Sequence, residues 1–142
     1  MKNMNCMSSQ KSTIVIATTI AAVAFIVGSF QYAAVSAQAA GESVTIVPNA
    51  STLGAKAFSP DVENAKVGDT VTWTNKDTIM HTVTSGTGPS DTAKGKEFDS
   101  GLSGPTALTA AGKTFSHKFT AAGTFPYFCQ VHPTMVGKVI VA

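Results

Sequence analysis

The sequence predicts an all-β sandwich of seven to eight short strands behind a hydrophobic N-terminal leader. Three observations carry this. Beyond the leader, apolar residues show no helical period. Short runs alternate apolar and polar residues in twos, as half-buried strands do. Glycine- and proline-bearing turns separate the runs through about 100 residues, the size of one sandwich.

"SVTIV" (Ser43–Val47) alternates. Pro48–Pro60 is rich in small and turn residues and reads as a long loop or irregular edge. "KVGDTVTWTN" (Lys66–Asn75) opens on a Gly68-Asp69 turn. It then sets Val71 and Trp73 on one face, with Thr70, Thr72 and Thr74 on the other. "MHTVTS" (Met80–Ser85) reads as a short strand. Gly86–Gly101 is polar and glycine-bearing and reads as a surface excursion, with Lys94 and Lys96 solvated. "KTFSHKF" (Lys113–Phe119) alternates again, "AAGTFPYFC" reads as a strand, and "GKVIVA" closes the chain as one. β-branched and aromatic residues dominate these runs, as pleated surfaces favour. Trp73, Phe115, Phe119, Phe125 and Phe128 are the expected large core residues. Val44, Val71, Val83, Val139 and Val141 are expected to fill between them.

The leader occupies residues 1–39 and the folded domain residues 40–142. No charge occurs from Ser12 to Gly41, and Ile14–Gly28 is almost wholly apolar. Lys2 and Lys11 precede this run, and small residues with Ala-x-Ala-like sites at Ala37 and Ala39 follow it. That order is a secretory signal peptide. The run is also near bilayer-spanning length, so an uncleaved membrane anchor is the rival reading. Both place the domain outside the cell membrane, in a periplasm, a pseudoperiplasm or at the outer face. Beyond the leader, eight lysines and eight acidic residues cancel. The formal charge of +2 thus belongs to the leader, and no basic stripe with aromatics supports nucleic-acid binding.

Cys6 lies in the leader, so Cys129 is the single cysteine of the domain. A lone thiol outside the cell calls for a reason, and metal ligation is one. In "YFCQVHPTM", Cys129, His132 and Met135 stand at even steps of three. Pro133 biases His132 toward an extended backbone. His81, at the head of "HTVTS", is a second imidazole. One thiolate, two imidazoles and one thioether suit copper. Thioether is a poor zinc ligand, and calcium and magnesium want oxygen. A His₂Cys plane with a long axial Met is the blue-copper electron-transfer arrangement. His117 alternates with Phe115 and Phe119 and reads as structural or solvated. Tyr127 and Phe128 read as packing residues beside the thiol.

"GTFPYFCQVHPTMVGKVIV" together with "VTWTNKDTIMHTVTS" resembles the cupredoxins, the small blue copper proteins, on their plastocyanin and amicyanin branch. The resemblance runs from about Ser43 to Val141. It implies a Greek-key β-sandwich with copper at one pole, held by His81, Cys129, His132 and Met135. It also implies a one-electron carrier that docks redox proteins near His132, where Met80, Val131, Pro133 and Val136 would form an apolar ring. Met80 and Thr82 stand where this branch often has Pro and Asn, and Thr134 stands where an aromatic often precedes the Met. Asn there helps lock the two ligand loops, and Thr82 is a shorter hydrogen-bonding substitute. The alternative is a mononuclear copper enzyme acting on nitric oxide or nitrite. It needs an open copper position, which Met135 opposes. A second copper centre needs more histidines than the domain's three. Copper storage would call for clustered Met residues that are absent.

Overall fold

The structure, a computed structural model, describes residues 41–142; the leader, with its signal-or-anchor reading, lies outside the described residues. Eight strands form two four-stranded sheets. They are β1 (Gly41–Ile46), β2 (Phe58–Ser59), β3 (Val62–Ala65), β4 (Thr70–Asn75), β5 (Thr84–Ser85), β6 (Thr114–Lys118), β7 (Gly123–Phe128) and β8 (Val136–Val141). One sheet has the order β2-β1-β4-β6, the other β3-β8-β7-β5. β1 runs parallel to β4, and β3 parallel to β8. The chain therefore crosses between sheets from β2 to β3 and back to β4, in Greek-key fashion.

β4 shows how the sequence builds this. Val71, Trp73 and Asn75 point inward and are buried, while Thr70, Thr72 and Thr74 are half-exposed. The turn before β4 needs Gly68, whose φ of 99° suits a residue without Cβ. Asp69 clasps the same turn by accepting the Lys66 amide at 2.8 Å.

The core lies between the sheets. Trp73 of β4 packs edge-on against Tyr127 of β7, ring centroids 5.4 Å apart, and Phe98 and Phe115 lie at 5.4 and 5.7 Å. Trp73, Phe115, Phe119 and Phe128 are buried as expected, as are the five valines. Phe125 is only half-buried. It lies near the far end of the sandwich, where its ring meets Phe119 at 4.9 Å. Phe58, Phe98 and Tyr127 are further large members of the core.

Pro48–Pro60 is the irregular edge expected, with two 3-10 turns (Ala50–Thr52 and Gly54–Lys56) and the edge strand β2 at its end. Two expectations change. Met80–Ser85 is a strand only at Thr84–Ser85, with a single bridge between His81 and Leu108. The reason is that the Thr82 amide goes to Cys129 Sγ and the Val83 amide to Ser100 Oγ, leaving no regular ladder. Gly86–Gly101 is a surface excursion only in part. Its last residues return over β5, where Ser85 Oγ accepts the Glu97 and Phe98 amides and Phe98 enters the core.

The ends of β1, β4 and β7 and the start of β8 share one pole, fixed by Ile46 opposite Asn75 and Phe128 opposite Val136. The candidate site lies there.

Candidate metal centre

Two loops at this pole carry the candidate ligands. The first leaves β4 and is braced by Asn75. Its side-chain amide donates to the Ile79 and Leu108 carbonyls (2.9 and 3.0 Å), and its Oδ1 accepts the Asp77 amide (2.9 Å). This places His81, fully buried, at the sandwich end. The second loop joins β7 to β8. It closes by Cys129 N–H to Met135 O (3.1 Å) and Met135 N–H to His132 O (2.9 Å). Cys129 and Met135 are fully buried, and His132 is half-buried between exposed Val131 and Pro133.

His81, Cys129 and His132 converge. Cys129 Sγ lies 3.9 Å from His81 Nδ1 and 3.8 Å from His132 Nδ1, and the two nitrogens are 3.2 Å apart. A triangle with these sides has a circumradius of about 2.1 Å, close to metal–nitrogen and metal–thiolate bond lengths. The donor set therefore fits a small cation of the copper type. Met135 contributes the base of the loop by its backbone.

Asp77 orients His81. Its Oδ2 lies 2.9 Å from His81 Nε2 and also accepts the Ala50 amide, while Oδ1 accepts the Thr78 amide. With Nε2–H directed at the carboxylate, Nδ1 is the nitrogen left for a metal, the outer support that metal-binding histidines commonly have. Burial acts to raise the Asp77 carboxyl, yet the His81 ring and backbone amides outweigh it and hold it low. Burial likewise acts against charge on His81, but Cys129 and then Asp77 hold its pKa up. Burial pushes the Cys129 thiol up. His81, the Thr82 amide and His132 overcome that and bring it down to about 6. These contacts favour the thiolate, the metal-binding form.

Thr82 does lock the two loops. Its Oγ1 accepts the Gln130 amide at 2.8 Å, and its amide donates to Cys129 Sγ at 3.3 Å. Thr84 Oγ1 donates to Asp99 and accepts from the Thr82 hydroxyl 3.2 Å away, and Gln130 Nε2 donates to Thr84 and to Asp99. Asp77 and Asp99 thus support the site, though neither has a residue pattern that singles it out. The one available hint is Asp77's place four residues before His81. His117 lies away from the cluster, its ring against Phe98 and Phe119 and its Nε2 3.6 Å from Glu97 Oε1. Thr134 is exposed, and Tyr127 and Phe128 are buried.

Comparison with known proteins agrees with this geometry. The profile of the family described as copper binding proteins, plastocyanin/azurin family, matches residues 45–142. Amicyanin-alpha of Methylorubrum extorquens is 37% identical over 125 residues, covering 84% of this chain and 98% of that protein. The chloroplastic plastocyanin of Tetradesmus obliquus is 36% identical over 110 residues, covering 72% of this chain and 74% of that protein. Among solved structures, a novel purple cupredoxin from Nitrosopumilus maritimus superposes with a TM-score of 0.55 at 29% identity, covering 71% of this chain and 99% of that one.

Proposed function

Because this chain belongs to the plastocyanin/azurin family of copper binding proteins, we propose that it carries single electrons through one copper ion held by His81, Cys129, His132 and Met135. Copper, when bound, supplies the one-electron Cu(II)/Cu(I) couple. The residues do the rest. The soft Cys129 thiolate and Met135 thioether favour the reduced ion, and the imidazoles suit both states. His81 is held by Asp77, and Cys129 by the Thr82 amide. Ligands fixed on a sandwich end move little when the charge changes, so little rearrangement opposes transfer.

His132 is the one candidate ligand that reaches the surface. The electron leaves through its ring to a redox protein seated on the apolar residues around it. Val131 and Val136 are 40% and 39% exposed, and Pro133 is exposed. Such a small patch suits the brief, weak contacts of redox exchange. Turnover of nitric oxide or nitrite would need an open copper position, which Met135 as the fourth ligand would oppose. The leader, two lysines ahead of a charge-free apolar run, supports export, so the partners are exported or membrane redox proteins.

The observation that carries this reading is the convergence of three donor atoms on one point at metal-bonding distance. The test is voltammetry of the copper-loaded protein, with Met135→Gln beside it. We expect a reversible one-electron wave whose potential moves in the variant while copper is retained. An irreversible wave would refute the carrier role, and an unmoved potential would refute Met135 as a ligand. Nitrite or nitric oxide added to the same sample should leave the spectrum unchanged.

A further inference from the structure

The domain's formal charge is zero, but its charge is unevenly displayed. Three of its carboxylates, Glu63, Asp69 and Asp77, are buried, while all eight lysines are exposed. The imbalance is concentrated at the candidate copper pole. The stretches that build that pole, 47–57, 76–83, 105–113 and 130–136, contain three lysines and one carboxylate. That carboxylate is Asp77, spent on His81 and two amides.

The backbone sets these lysines in a row. Lys56 immediately precedes Ala57, whose carbonyl accepts the Val47 amide. The neighbouring Ile46 carbonyl accepts the Lys76 amide, and the Lys113 carbonyl accepts the Asn75 amide. The row therefore follows the order β2-β1-β4-β6 across the sheet end, a span of about 15 Å at ordinary strand spacing. The same stretches carry exposed apolar side chains, Leu53, Ile79 and Val131, at 42%, 43% and 40%. The Gly54 turn lies against the ligand loop, since a Cβ there would sit 3.8 Å from the Thr134 carbonyl. On the other sheet's flank the nearby exposed carboxylate is Asp99, taken up by Thr84, Gly101 and Gln130.

We propose that this pole docks a redox protein through an acidic surface on that partner, gripped by Lys56, Lys76 and Lys113 and seated on Leu53, Ile79 and Val131. The proposal rests on the electron-carrier reading and adds to it the sign of the partner's charge. Like charges in a row, with no exposed carboxylate between them, attract an anionic face over a Debye length and reject a cationic one. Asp99 on the opposite flank gives the approach a direction.

The test uses anionic and cationic probes. The rate at which the hexacyanoferrate(II) anion reduces Cu(II), itself becoming hexacyanoferrate(III), is measured from about 0.01 M to about 1 M ionic strength, where screening shortens from about 30 to about 3 Å. Oxidation of the reduced protein by the hexaamminecobalt cation is followed alongside. We expect the anion's rate to fall about tenfold with salt and the cation's rate to rise. K56Q/K76Q/K113Q should lose both dependences, while K66Q/K118Q/K138Q keeps them. Independently of copper, the metal-free protein should bind polyglutamate in low salt, and only the first triple variant should lose this. A normal reversible couple with no salt dependence overturns the proposal and leaves the carrier reading standing; no reversible couple overturns both. Equal losses in the two triple variants also overturn it, because the charge would then act globally. So does lysine-dependent binding to phosphatidylglycerol vesicles without polyglutamate binding, which would make the face lipid-directed.

Discussion

Removing Asp77 should loosen copper without dismantling the fold. The carboxylate is 4% exposed and accepts three hydrogen bonds, from His81 Nε2 and the amides of Ala50 and Thr78. Asp77→Ala orphans these donors, and a buried unpaired donor costs about 1–3 kcal/mol. Water replaces part of this at the exposed Thr78, so a stability loss of about 2–4 kcal/mol is expected. The His81 ring also loses its fixed tautomer. Removing such an outer partner lowers metal affinity by about 10- to 100-fold, or about 1.4–2.7 kcal/mol. Asp77→Asn separates geometry from charge. Its carboxamide oxygen can still accept the hydrogen bond from His81 Nε2–H, so it should recover most of the affinity. Both variants remove a negative charge beside the ligand, so both should raise the reduction potential. Competition with a copper chelator measures affinity, and voltammetry measures potential. Wild-type affinity and potential in Asp77→Ala would refute the view that this carboxylate orients His81.

Further outcomes follow from other contacts. Gly137 faces Tyr127 across β7–β8, and a Cβ there would lie 2.6 Å from Tyr127 Cζ and Oη. Because Phe58 and Trp73 confine the ring, Gly137→Ala should cost about 1–3 kcal/mol, or about 4–8 °C of Tm per kcal/mol; an unchanged Tm would show that the ring can step aside. Thr82→Val keeps the shape but removes the acceptor of the Gln130 amide, so the metal-free protein should lose about 1–3 kcal/mol in a denaturant melt, and Thr82→Ser should restore most of it. Burial raises the Glu63 carboxyl above its ordinary 4.5, helped by the nearby Glu42 and opposed by the Asn64 amide. The folded state then holds this proton more tightly than the unfolded chain, so Glu63 costs stability increasingly as pH rises through 4.5 and beyond. Glu63→Gln should therefore raise Tm near neutral pH and not below about pH 4; a gain equal at both would assign the effect to packing.

The sequence made some parts legible because their causes are local. Period-two alternation marks β4, β6 and β8. Three donors at tight spacing, with His81 upstream, mark the candidate ligands, and the structure brings three of the four residues' donor atoms together. Other parts depend on distant chain. β3 reads "VENA", with Glu63 and Asn64 poor strand formers, and is a strand because it pairs in parallel with β8. Phe98 stands in a polar glycine-bearing run, yet packs on Trp73 once the excursion returns. Met80–Val83 has strand composition, but sulfur and hydroxyl acceptors take two of its amides. Asp77 becomes a histidine partner only because Asn75 folds the loop that carries both residues.

The central claim is a copper ion bonded to the Cys129 thiolate that gains and loses one electron. The direct measurement is the visible spectrum of the Cu(II)-loaded protein, titrated with a reductant and then reoxidised, beside Cys129→Ala. The account predicts an intense visible band that bleaches with one electron per copper, returns on reoxidation, and is absent from Cys129→Ala. A pale Cu(II) protein, or a band that survives in Cys129→Ala, would contradict it.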